Sequence, residues 1–477
     1  MNKGLKFTAT LLLITMLIGS LSGCGSASKD VTETTVQTEV AEDEAKAAGQ
    51  EEAAARAAEE AAAKEAEANE YYEKGRTFLY GLDGNKINLE SAYTNFEKAR
   101  EMGKQDASFY LGLLCYDYNY PNHDYAKAKS YFEEAEDNQY AQIKLGDIYY
   151  LGDGVEADKK KAKELFQSAI DRGCVEGYMS MGYVAYDEKD YTTAFEYFNK
   201  ATEGTEQTFT ADAMDWIGYF YKEGYEVEQD YTKAMEWYEK SADLGNVNAM
   251  DWIGYFYKEG YEVEQDYTKA LEWYEKAAEL GDTWAMNDIG WLYGNGKGVE
   301  QDYSKALEWF ERAADLGNET AMLNIGALYQ LGQGVEQDYD KTLEWYEKAA
   351  GLGNASAMYK IGWLYYDGKG VEQDYSKTLE WYEKAAELGD ASAMYEIGWL
   401  YRDGKGVEQD YGKALEWYEK AAELGDTWAM NEIGWLYGNG KGVEQDYNKA
   451  LEWYEKAAAL GDETAMENAE HIRKLMK

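Results

Sequence analysis

An Ala-Met pair recurs at Ala213-Met214, Ala249-Met250, Ala285-Met286, Ala321-Met322, Ala357-Met358, Ala393-Met394, Ala429-Met430 and Ala465-Met466, always 36 residues apart. A fixed period of roughly 20–50 residues marks a supersecondary unit that cannot bury its apolar face alone and stacks on copies of itself. The chain has 477 residues, and a single core stops growing at roughly 250–300. Several domains or one long stack would satisfy that limit, and the period selects the stack.

Each unit reads as a helical hairpin. Met214, Ile217, Gly218 and Tyr221 fall at i, i+3, i+4 and i+7, which is one face of a helix. A glycine inside a helix costs about 1 kcal/mol relative to alanine. Its return in every unit therefore predicts a close helix–helix approach with no room for a side chain. The stretch GYEVEQD, or GKGVEQD in later units, breaks the helix, and Asp230 is placed to cap the next one. Ala234, Trp237, Tyr238 and Ser241 again share a helical face, which puts the recurring Trp237, Trp273, Trp309, Trp345, Trp381, Trp417 and Trp453 on the packing side. Glu236 and Lys240 form an i, i+4 pair on the wet side. Leu244-Gly245 ends the hairpin.

The Ile-Gly-x-x-Tyr and Ala-x-x-x-Tyr pairs resemble the framework of tetratricopeptide repeats. The Gly-x-Gly-Val loop, the Ala-Met start and the 36-residue length resemble the Sel-1-like subclass. The likeness covers residues 70–477. It implies an all-α fold, a right-handed α-α superhelical solenoid of about eleven helix-turn-helix repeats, and a role as a binding scaffold. Residues 70–211 hold divergent repeats, and 212–463 hold seven regular ones. Residues 464–477 start another first helix, but Glu470 stands where the framework glycine belongs. That segment reads as the polar capping helix a solenoid end requires.

The N-terminus carries different information. Lys3 and Lys6 precede a short apolar run, Leu11 to Ile18, followed by Leu21-Ser22-Gly23-Cys24. The run is too short for a membrane span and fits an export signal. Its end resembles the lipobox of bacterial lipoproteins. The resemblance implies a signal peptide over 1–23, lipid on Cys24, and repeats held at a bacterial envelope outside the cytoplasm. An acyl pair exceeds the one-chain limit for stable anchoring. Residues 24–49 read as a disordered tether, and the Ala/Glu-rich 50–69 as a helical stalk.

The formal charge of −45 excludes nucleic acid as a partner, because such binding rests on neutralising phosphates with Lys and Arg. Only His123 and His471 are present, so multi-histidine metal sites are excluded, and no cofactor is implied. Cys115 stands in a framework tyrosine position and reads as a buried thiol. Cys174 lies in a different unit, so no bridge between the two is expected. The carboxylates recur in every unit, whereas catalysis needs one constellation with its acid and base pushed apart. No enzyme is expected.

The variable positions carry the functional expectation. The residue after each framework glycine is Tyr219, Tyr255, Trp291, Ala327, Trp363, Trp399 or Trp435. Four residues earlier on the same stripe stand Asp215, Asp251, Asn287, Leu323, Tyr359, Tyr395 and Asn431. In tetratricopeptide-like arrays this stripe lines the groove. Tyr219, Tyr255, Trp291, Tyr359, Trp363, Tyr395, Trp399 and Trp435 are therefore candidate binding residues for a protein or peptide partner. A glycan or cell-wall polymer is the alternative ligand, and gap filling between repeats is the structural alternative. A monomer is expected.

Overall fold

The computed structural model describes residues 39–477 apart from 83, 85, 119, 205 and 206, with side chains from 56 onward. The expected signal peptide, Cys24 and the start of the tether lie outside the described residues. All described regular structure is helical, in 23 α-helices. None is long and apolar enough to cross a membrane. The chain divides at Asn246/Val247 into two compact units.

The first unit opens with the helix Glu39–Tyr80. It begins inside the stretch expected to be a tether and runs through the expected stalk into the first repeat. Ala, Glu and Lys are strong helix formers, and nothing in this run stops a helix before Gly81, whose φ is +64°. The expected stalk and the first helix of the first repeat are thus one element. Eight shorter helices, Leu89–Glu101 to Gln207–Glu223, and a last one, Tyr231–Asp243, complete the unit. Within the unit, each helix packs on its neighbours in sequence.

The second unit follows the same plan from Val247–Glu259 to Glu463–Leu475. In one hairpin the first helix is Ala391–Asp403 and the second is Tyr411–Glu423. Asp390 caps the first by accepting from the Ala393 amide at 2.8 Å. Asp410 caps the second by accepting from the amides of Gly412 and Lys413 at 2.9 and 3.0 Å. Such caps satisfy helix-end amides that have no partner within the helix and contribute about 1 kcal/mol each. Gly404 takes the left-handed conformation that closes the first helix, at φ +67°, where an L side chain would be strained.

The two helices of a hairpin meet at the framework glycine. A methyl group on Gly362 would lie 2.6 Å from the Tyr382 ring, and the same overlap recurs at Gly218–Tyr238, Gly254–Tyr274 and Gly290–Phe310. Tyr274, Tyr346, Tyr382 and Tyr418 are fully buried, as are Ile289, Ile325, Ile361, Ile397 and Ile433. Burying such a side chain contributes roughly 2 kcal/mol. Glycine and aromatic form one lock, repeated along each unit.

Trp237, Trp417 and Trp453 pack against the core from its edge. Trp237 and its counterparts are half-buried, and the neighbouring tyrosine occupies the core instead. Each of these tryptophans lies at the margin of the packing face beneath the cation three residues further on, Lys276 over Trp273 at 3.6 Å for example. The helix Glu463–Leu475 packs on Tyr447–Ala459. Ala469 and Ile472 are buried, while Glu470 is exposed and pairs with Lys474.

Candidate functional site

All eight candidate residues lie on first helices, beside the packing face. Tyr219 belongs to the first unit and the other seven to the second. Trp291 and Trp435 are each 38% exposed, and the remaining six are half-buried. Adjacent framework residues such as Ile397 and Gly398 are buried. The stripe therefore borders solvent along its length.

Its aromatic residues are connected through neighbours rather than stacked on one another. Tyr359 stacks on buried Tyr382 with ring centres 5.3 Å apart, and Tyr395 tilts against Tyr418 at 5.7 Å. Tyr366 meets the Trp399 ring edge-on at 5.7 Å. Among the described residues, Trp363, Trp399 and Trp435 make no ring contact with each other.

Charged groups cross from one repeat to the next beside these rings. The Lys258 ammonium bonds Asp288 Oδ1 at 3.1 Å and stands over both Tyr255 and Trp291, at 5.1 and 5.6 Å from the ring centres. Four repeats later the Arg402 guanidinium bonds Glu432 Oε2 at 2.6 Å and Asp403 Oδ1 at 2.8 Å. Asn324 donates to Asn287 at 2.9 Å, and Asn468 to Asn431 at 3.1 Å. Burial pushes the Asp288 carboxyl up, with Lys258 opposing it. Burial also raises Glu396, and the nearby Asp426 carboxylate adds to the effect.

Sequence reasoning missed the two most open tryptophans. Trp428 is 69% exposed and Trp284 is 53% exposed. Each stands seven residues before a candidate, Trp435 and Trp291, so two helical turns put the pair on one face. That i, i+7 spacing was readable in TWAMNEIGW. Among the described residues no three His, Cys, Asp or Glu side chains could hold a metal ion. Cys115 and Cys174 are buried free thiols.

Eleven segments match the Sel1 repeat: 71–104, 105–140, 139–174, 180–205, 211–246, 247–282, 285–318, 320–354, 355–390, 391–426 and 429–462. The chain belongs to the Sel1 repeat family. Sel1 repeats form a non-catalytic scaffold fold that typically mediates protein–protein interaction. The chain is similar to the Sel1-repeat-containing protein YjcO of Escherichia coli K12, 27% identical over 162 residues. That match spans 32% of this chain and 66% of YjcO, just under two thirds. A solved Sel1-like structure, the uropathogenic Escherichia coli protective antigen c5321, is 31% identical and covers 86% of this chain and 88% of its own, with a TM-score of 0.48. A Sel1 repeat protein from Oxalobacter formigenes is 34% identical over 52% of this chain and 99% of its own, at TM-score 0.47.

Proposed function

We propose that this Sel1 repeat protein is an envelope-anchored scaffold that holds a protein or peptide partner along the aromatic and acidic stripe of its first helices. In this reading lipid on Cys24 fixes the chain to a bacterial membrane, with the repeats outside the cytoplasm. One observation carries the proposal. The glycine–aromatic lock is buried from repeat to repeat, while the aromatic residues directly beside it are half-buried or exposed and differ between repeats. Packing alone gives no reason for Trp291 and Trp435 to stay 38% exposed.

The test is a Trp363→Ala, Trp399→Ala, Trp435→Ala variant presented to envelope extracts beside the unmodified protein. Retained helix content with loss of the captured partner supports the scaffold. Capture that is unchanged in the folded variant ends it. Binding of purified wall polymer without any protein partner would replace it with the carbohydrate reading.

A further inference from the structure

The distribution of cations over the tryptophans is uneven. All seven second-helix tryptophans carry the chain's own Lys or Arg over the ring, at 3.6–4.2 Å from its centre. On first helices Lys258 stands over Trp291 and Lys369 over Trp363, the latter at 4.5 Å. Among the described residues no cation stands over Trp428 or Trp435, although these rings are among the most open in the protein. A tryptophan face is the best aromatic partner for a cation. Here the chain leaves these two faces unused, as it does those of Trp284 and Trp399 among the described residues.

Their surroundings favour positive charge. The Tyr395 ring meets Trp428 edge-on at 6.4 Å. Glu396, on the same turn as Tyr395, is half-buried and makes no ion pair among the described residues. Asp426 lies two residues before Trp428 and caps its helix through the Ala429 amide. Burial raises the Glu396 carboxyl, and the Asp426 carboxylate adds to that rise. The earlier Trp291 repeat shows the chemistry completed internally: one ammonium satisfies a carboxylate and two rings together. In the Trp435 repeat the corresponding carboxylate, Glu432, is held by Arg402, which does not reach the Trp435 ring.

Spacing narrows the guest. Two helical turns separate Trp428 from Trp435 by about 10 Å. An extended polyproline-type peptide returns to the same face every third residue, after about 9 Å. We propose that the Trp428–Trp435 face, with Tyr395, Glu396 and Asp426 beside it, docks an extended basic peptide segment whose Arg or Lys side chains, three residues apart, cover the two rings. The proposal rests on the interaction-scaffold reading and names its partner's chemistry.

The test titrates the full-length protein with a synthetic peptide bearing arginine at every third position among serines. A second peptide of the same length carries citrulline, the neutral isostere, in place of arginine. The arginine peptide should bind, and the citrulline peptide should bind about tenfold more weakly or worse. Trp428→Ala with Trp435→Ala should weaken arginine-peptide binding about tenfold at unchanged helix content, since both side chains are exposed. Equal binding of the two peptides overturns the proposal while leaving a peptide-binding stripe in place. Arginine-peptide binding unaffected by the double substitution reduces the effect to the chain's general acidity and also overturns it. Absence of arginine-peptide binding does the same. Failure of the scaffold reading itself shows separately, in the envelope capture experiment.

Discussion

Gly398 and Tyr418 meet so closely that a methyl group on the glycine would lie 2.6 Å from the ring's Cε1 and 2.7 Å from its Cδ1. The ring is fully buried, and the Ala414 carbonyl stands 3.2 Å from the same point. Glycine to alanine in a helix normally stabilises by about 1 kcal/mol. At Gly398 the sign reverses, and Gly398→Ala should cost roughly 1–3 kcal/mol by overpacking. Gly351, exposed at the C-terminal end of Tyr339–Gly351, has nothing within 4 Å of its would-be Cβ. Gly351→Ala should stabilise by about 0.5–1 kcal/mol. Urea midpoints of the two variants should move in opposite directions, and a shared direction would contradict the lock.

Asp215 predicts a pH dependence. Its Oδ1 is sealed from solvent without a hydrogen-bond partner, and burial, aided by the Asp212 carboxylate, pushes its carboxyl up to about 8. The folded state therefore holds a proton that the unfolded chain loses near pH ~4. Stability from this group is complete below that value and is lost as pH rises towards about 8. Asp215→Asn should flatten the decline and raise stability near pH ~8 by roughly 1–3 kcal/mol. Denaturation of both proteins across this window gives the answer. Parallel curves would show that Asp215 ionises normally.

The two buried thiols should be inert while the protein is folded. Burial pushes Cys115 up to about 11. Cys174 is raised further, by burial and by donating to Glu176 Oε2 at 2.9 Å. The thiolate is the reactive species, so a thiol reagent at neutral pH should label both only as fast as the first unit opens. Rapid labelling in native buffer would contradict their placement.

The proposed anchor makes its own prediction. Cys24→Ala should move the protein from the membrane fraction to the soluble fraction, with unchanged helix content. Full retention in membranes would remove lipid on Cys24 from the account.

The hairpin plan was legible because its signals are local. Gly218 at every period demanded a close neighbour, and the structure supplies Tyr238. Asp230 announced a cap, and it accepts from the Lys233 amide at 2.9 Å. Other features depend on distinctions that periodicity does not make. Trp237 and Tyr238 are adjacent aromatics on one broad face, and only packing decides that the tyrosine enters the core while Lys240 covers the tryptophan. Composition separated tether, stalk and first repeat, yet a helix continues wherever nothing stops it, so Glu39–Tyr80 starts inside the first and ends inside the last. Trp428 shares the face of Trp435 but has a tryptophan counterpart only at Trp284, so it does not recur with the period.

The central claim is that the first helices present the binding surface while the glycine–tyrosine lock only holds them. Amide hydrogen exchange on the second unit, with and without a captured partner, tests it most directly. The account predicts added protection on Ala355–Asp367, Ala391–Asp403 and Thr427–Asn439, with Tyr375–Glu387 and Tyr411–Glu423 unchanged. Protection confined to those second helices would contradict it.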